Sequence, residues 1–323
     1  MTRVFINGFG RIGRTVLRAW AQGGWPQIEI VGINDIADAD LCAHLFEYDS
    51  VFGPFAGDVV LKDGALHVNG HAIPFHQTRD ASTLDLTGVD IVMECTGKAD
   101  DRAIAERPLQ AGARRVLISG PSDAADATIV IGANGSRLSD QQIISNASCT
   151  TNALAPLVRL LDDTWGVRTG WMTTIHCYTG SQPTIDAPRG DMMRSRAAAM
   201  SMVPTTTSAM RLLDHVLPDI AGRIEGAAVR VPVASVSAVD LTVTLQETVS
   251  REDVVALLAK PSPIIGCTNK PLVSSDLRAR PESLVVSLPE TRVTAQGLLR
   301  VFGWYDNEWG FSCRMLDMAV RMG

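Results

Sequence analysis

No two cysteines of this sequence stand in a CxxC pair, and none joins a histidine at metal-ligand spacing. The six that exist (Cys42, Cys95, Cys149, Cys177, Cys267 and Cys313) are scattered, as free thiols of a reducing compartment are. No metal site is therefore expected. No apolar run reaches the length of a membrane span, and "MTRVFINGFGRIGR" at the start has no long apolar core of a secretion signal. A cytoplasmic protein is the expectation. Excess positive charge is lacking too: the formal net charge is −6, which argues against nucleic acid or an anionic membrane as partner. Repeats and low-complexity tracts are absent. What is present is a chain of 323 residues, 46% hydrophobic and 20% charged, enough for two well-buried domains.

The first part alternates continuous apolar runs with helical patterns. "RVFING", "IEIVGIND", "VDIVMECTG", "ARRVLISG" and "ATIVIGA" suit buried parallel strands, and "RTVLRAWAQ" suits a crossover helix. A doubly wound α/β sheet of the Rossmann type follows for residues 1–148. The later runs "WMTTIHCYT", "AAVRVPVASVSAVDLTVTLQE", "ESLVVSL" and "LLRVFGWYD" partly alternate, as in an antiparallel sheet with one covered face. With helices at "TSAMRLLDHVLPDI" and "REDVVALLAK", they make residues 149–311 an α+β catalytic domain. A terminal helix at 312–323 is expected to complete the first domain. Between these elements, about 26 residues from "TGSQPTIDAPRG" to "AMSMVP" show no clear period, and such a segment in a compact domain is usually functional.

"GFGRIG" places Gly8, Gly10 and Gly13 at a strand-to-helix junction in the GxGxxG pattern. Gly8 permits the tight turn, Gly10 the approach of a pyrophosphate, and Gly13 close helix packing. The helix start supplies free N–H groups and the positive end of a dipole. The next strand ends in Asp35, 22 residues past Gly13, where a carboxylate accepts ribose hydroxyls and repels a 2′-phosphate. NAD rather than NADP is the expected cofactor.

"SNASCTTN" sets Cys149 between the hydroxyls of Ser148 and Thr150. A helix capped by Ser148 or a neighbour and beginning near Thr150 would hold Cys149 close to its positive end, and a thiol so placed is expected to ionise below its ordinary value of about 8.5. "TTIHCYTG" places His176 on a strand, the natural base for such a thiol, while Cys177 is expected on the opposite face and inert.

In these motifs, together with "INGFGRIGR", "RAAAMSMVPTTT", "VRVP" and "WYDNEWG", nearly the whole chain resembles the phosphorylating glyceraldehyde-3-phosphate dehydrogenase family. The resemblance implies oxidative phosphorylation of glyceraldehyde 3-phosphate, with Cys149 as nucleophile, His176 as base and a thioester cleaved by inorganic phosphate. It implies cofactor contacts at Arg11, Ile12, Arg79, Thr96, Gly97, Ser119 and Asn307, the last at the nicotinamide carboxamide. It also implies a substrate-phosphate site at Thr179 and Arg230, and a site for attacking phosphate at Ser148, Thr150, Arg194, Thr207 and Ser208. The irregular segment resembles the family's subunit-contact loop, so a homotetramer is expected.

Ser181 and Ser208 stand where the family usually has Asp and Gly, Ala153 where a second Cys is frequent, and Phe311 where Tyr is usual. "ADADLCAHLFEYD" and the C-terminal part look closer to erythrose-4-phosphate dehydrogenases, in which water would complete the thioester. That enzyme, or another phosphorylated-aldehyde dehydrogenase, is the alternative expectation.

Overall fold

Apolar runs flanked by glycine become buried strands, as their uninterrupted hydrophobicity requires. In the computed structural model, which describes residues 1–323, the chain forms two units. One comprises Met1–Ile129, Gly135–Ala147 and Ser312–Gly323; the other comprises Val130–Asn134 and Ser148–Phe311.

The first unit begins with β1 (Thr2–Asn7), α1 (Arg11–Ala21), β2 (Ile28–Asn34) and α2 (Ala39–Glu47), then a two-residue ribbon of β3 (Tyr48–Asp49) and β4 (Gly53–Pro54). Next come β5 (Val59–Lys62), β6 (Ala65–Val68), β7 (His71–His76), β8 (Ile91–Glu94), the short helices α3 (Arg102–Ala105) and α4 (Arg107–Gln110), β9 (Arg115–Ile118), β10 (Ala127–Thr128) and β11 (Ile143–Ser145). Nine strands join in the order β10-β11-β9-β8-β1-β2-β7-β6-β5. The pairs from β10 to β7 are parallel, and β6 pairs antiparallel with both β5 and β7. The order reverses at β1, with β2 on one side and β8 on the other, so the loops after these three strands meet at a switch point. Val4, Ile6, Ile33, Ile91, Val92, Met93 and Val116 are wholly buried.

Two findings differ from the sequence reading. The β5–β7 hairpins turn at Asp63–Gly64 and Asn69–Gly70, all four residues with positive φ (53°, 74°, 50° and 83°). Asp-Gly and Asn-Gly favour such turns because both central residues must enter the left-handed region. In "ATIVIGA" only Ala127–Thr128 is strand, because the Asn134 side chain accepts from the Val130 N–H (2.7 Å) and turns the chain away.

The second unit holds α5 (Cys149–Trp165), β12 (Val167–Cys177), β13 (Val203–Thr205), α6 (Ala209–Val216), β14 (Ile224–Val231), β15 (Ser237–Leu245), α7 (Arg251–Leu258), β16 (Ile265–Thr268), β17 (Leu284–Ser287), β18 (Arg292–Val293) and β19 (Leu298–Tyr305). Pro218 stops α6 at Val216, short of the sequence expectation. The sheet runs β13-β14-β12-β15-β19-β17-β16, with β18 against β19. It is mainly antiparallel, but β12–β14 and β16–β17 are parallel. Most of α5 is buried, as an apolar helix with few charges must be. The final helix, α8 (Trp309–Met322), is held in the first unit from Ser312 onward. There Trp25 Nε1 donates to Asp317 Oδ1 (2.7 Å), and Arg115 donates to the Met322 carbonyl (3.0 Å).

Candidate active site

The glycine-rich turn after β1 is shaped by steric need. Gly8 has φ +95°, and a Cβ on it would lie 2.6 Å from Thr96 N; a Cβ on Gly13 would lie 2.1 Å from the Gly8 carbonyl. At Gly10 nothing lies within 4 Å, so that side of the turn is open to an incoming group. Gly10 is also the N-cap of α1 and has no side chain to satisfy the first-turn N–H groups at Arg11, Ile12 and Gly13. Asp35 Oδ2 accepts from Phe9 N (2.6 Å) and Oδ1 from Ala37 N (2.9 Å), which fixes its carboxylate beside the turn.

A cavity of about 410 Å³ lies here, lined by Gly8, Gly10, Asp35, Arg79 and Thr96 among others. That volume suits part of a dinucleotide. Gly97 and Ser119 lie near it in sequence and sheet position but do not line it; the Ser119 N–H donates to the Glu94 carbonyl (3.0 Å). The Arg11 side chain points elsewhere, to Asp49.

Glu94, which sequence reasoning passed over, also lines the cavity and is buried. It accepts from Asn7 Nδ2 (2.5 Å) and from the Thr96 N–H (2.9 Å) and hydroxyl. Burial pushes its carboxyl up despite those donors. Asn34 extends the network, donating to Asn7 Oδ1 (2.8 Å) and accepting from Thr78 N (2.9 Å).

In the second unit the Ser148 side chain caps α5 by accepting from Thr151 N (3.0 Å), so Cys149 is the first helical residue. Ala147, just before the cap, is held at φ +56°, a left-handed backbone at the entry to the site. Parallel pairing of β12 with β14 sets His176 opposite Arg230. Cys149 Sγ then lies 3.6 Å from His176 Nε2, while His176 Nδ1 lies 2.7 Å from the Cys177 carbonyl and 2.8 Å from Arg230 Nη1. Arg230 Nη1 also donates to the Cys177 carbonyl (3.0 Å).

Electrostatics correct one expectation. Burial pushes the Cys149 thiol up, and the opposing pulls of Arg230 and Thr150 do not overcome it. The helix start alone therefore does not make a free thiolate. Burial, then the Arg230 charge, lowers His176 to about 4, so the imidazole is neutral at pH 7 and able to accept a proton. The pair is a thiol beside a neutral base.

Tyr305 is a residue sequence reasoning missed, although it lies inside the quoted "WYDNEWG". Its buried hydroxyl bonds both Thr150 Oγ1 and Thr174 Oγ1 at 2.8 Å, tying α5 to β12. Its ring stands edge-on to His176, with centroids 6.0 Å apart. Cys177 is also corrected: its Sγ lies 3.8 Å from His176 Nδ1 and 3.1 Å from Asn307 Oδ1, so it belongs to the cluster. Burial pushes its thiol up to about 12, which leaves it unreactive as expected.

The remaining anion-site candidates make local bonds. Thr179 and Ser181 share a hydroxyl bond (2.9 Å). Arg194 donates to Thr205 Oγ1 (2.7 Å) and the Thr206 carbonyl (3.1 Å) rather than to Thr207. The Thr207 hydroxyl accepts from Ala209 N (3.1 Å), and the Ser208 side chain caps nothing at the start of α6.

Comparison with known proteins agrees with this geometry. The glyceraldehyde 3-phosphate dehydrogenase NAD binding domain model matches residues 2–102, and the C-terminal domain model of that family matches 148–307. Glyceraldehyde-3-phosphate dehydrogenase of Xanthobacter flavus is 46% identical over 99% of this chain and 98% of its own. The chain belongs to the glyceraldehyde-3-phosphate dehydrogenase family. Two further members are the Pseudomonas aeruginosa glyceraldehyde-3-phosphate dehydrogenase, 46% identical over 99% of this chain and 98% of its own, and glyceraldehyde-3-phosphate dehydrogenase 1 of Bacillus subtilis, 42% identical over 98% and 97%. These names do not favour the erythrose 4-phosphate alternative.

Proposed function

We propose that this protein is an NAD-dependent dehydrogenase that oxidises glyceraldehyde 3-phosphate and captures the acyl group on inorganic phosphate. The observation that carries this reading is Cys149 Sγ 3.6 Å from the Nε2 of a neutral His176. Bound NAD supplies the hydride acceptor; the open face at Gly10, the uncapped start of α1 and the carboxylate of Asp35 fit its pyrophosphate and ribose. Arg79, Thr96, Gly97 and Ser119 would contribute further cofactor contacts, and Asn307 would meet the nicotinamide carboxamide.

His176 Nε2 takes the Cys149 proton as sulfur adds to the aldehyde carbon, and returns it to the new oxyanion, giving a thiohemiacetal. It removes that hydroxyl proton again as hydride leaves the carbon, giving a thioester. Phosphate attacks the thioester carbonyl, the thiolate departs, and His176 returns the proton to sulfur. Thr179 and Arg230 would hold the substrate phosphate. Burial is the main cause that lowers His176, and an anion on Arg230 would offset only the second, the Arg230 charge. Ser148, Thr150, Arg194, Thr207 and Ser208 would hold the attacking phosphate.

We read the assembly as a homotetramer, supported by Ile185, Met192, Met200 and Met202, which are largely exposed on the irregular segment after β12. No helix is long and apolar enough to cross a membrane, and we place the protein in the cytoplasm.

Intact-mass and peptide mapping after mixing enzyme, NAD and glyceraldehyde 3-phosphate without phosphate tests the chemistry. An acyl group on Cys149 that phosphate removes is expected. An unmodified Cys149 during turnover would overturn the reading.

A further inference from the structure

Asn307 presents an amide with two unlike ends, and which end faces the cofactor decides what it can recognise. Its Oδ1 lies 3.1 Å from Cys177 Sγ, while its Nδ2 has no partner within the chain. The residue itself is only 7% exposed. An amide turned the other way would offer N–H to sulfur, a weak acceptor, and would strand the one thiol proton. The thiol's other polar neighbour, His176 Nδ1 at 3.8 Å, carries the ring proton when Nε2 is the base and donates it to the Cys177 carbonyl (2.7 Å), so it does not accept from the thiol. Cys177 is itself held in place, since its N–H donates to Ser237 Oγ (3.1 Å) and its side chain is wholly buried.

We propose that Cys177 is a positioning residue that orients the Asn307 amide, so that Nδ2 is the donor offered to the carboxamide oxygen of nicotinamide. This rests on the reading that Asn307 meets that carboxamide. The thiol stays protonated throughout the working pH range because burial holds its ionisation near 12, so the donor is permanent. Cysteine serves here as a hydrogen-bond donor on an apolar stem, and it touches no reacting atom.

The test measures binding of NAD and of ADP-ribose, which lacks nicotinamide, by calorimetry on the full chain. Cys177→Val keeps the volume and removes the donor; it should weaken NAD about fivefold, the equivalent of one neutral hydrogen bond, and leave ADP-ribose unchanged. Cys177→Ser, which restores a donor, should recover most of the lost NAD affinity. Cys177→Ala serves the same purpose as the valine variant should valine not fold. An unchanged NAD to ADP-ribose ratio in the valine and alanine variants, with Asn307→Ala altering it, overturns the role of Cys177. Equal weakening of both ligands, or no recovery with serine, overturns it too. A ratio unchanged in Asn307→Ala instead removes the reading of Asn307 on which the proposal rests.

Discussion

His176 makes the stability of this protein sensitive to acid in a calculable way. The unfolded chain binds a proton on this imidazole near the ordinary 6.5, whereas the folded chain resists until about 4, first because of burial and then because of Arg230. The other groups facing the ring are the thiols of Cys149 and Cys177 and the buried ring of Tyr305, none of which carries a charge at neutral pH. Between those two values the unfolded state holds more protons, so stability falls as pH falls. The contribution is present in full above about 6.5 and lost towards about 4, a loss of about 3 kcal/mol at 1.36 kcal/mol per pH unit. Replacing His176 by glutamine removes the titrating group. Urea unfolding at pH 7, 6, 5 and 4 should therefore show the parent protein losing about 3 kcal/mol more than His176→Gln. Parallel losses in the two proteins would refute the reasoning, as would an NMR signal of the His176 ring that titrates near 6.5.

Tyr305→Phe removes the hydroxyl shared by Thr150 and Thr174 and should cost about 1–3 kcal/mol, read as a lower unfolding midpoint, because two buried hydroxyls lose their partner. Ser148→Ala uncaps α5 and should cost about 1 kcal/mol in the same assay. Asp35→Ala should narrow the preference for NAD over NADP by at least about tenfold in kcat/KM, the scale of a charge-assisted bond, and an unchanged ratio would deny Asp35 its role.

Local signals made much of this legible. The glycine spacing, the Ser148 cap and the strand carrying His176 each depend on neighbours a few residues away, and those readings agree with the structure. The parallel register that sets Arg230 beside His176 depends on residues 54 positions apart, and no local pattern encodes it. The same holds for Tyr305 and Thr150, 155 positions apart. The Asp-Gly and Asn-Gly turns of the β5–β7 hairpins are local signals too, set among parallel runs whose stronger pattern masks them. The ionisation of Cys149 went the other way from expectation because a helix start is visible in sequence and burial is not. Cys177 followed the alternation rule for strands only in part: its position beside Asn307 comes from the chain after β19 folding back against the end of β12.

The central claim, a thioester on Cys149 released by phosphate, is tested most directly by NADH formation from glyceraldehyde 3-phosphate with and without inorganic phosphate. The account predicts sustained turnover and an acyl phosphate product only when phosphate is present, with no more than one equivalent of NADH per active site in its absence. Turnover at the same sustained rate without phosphate would contradict it.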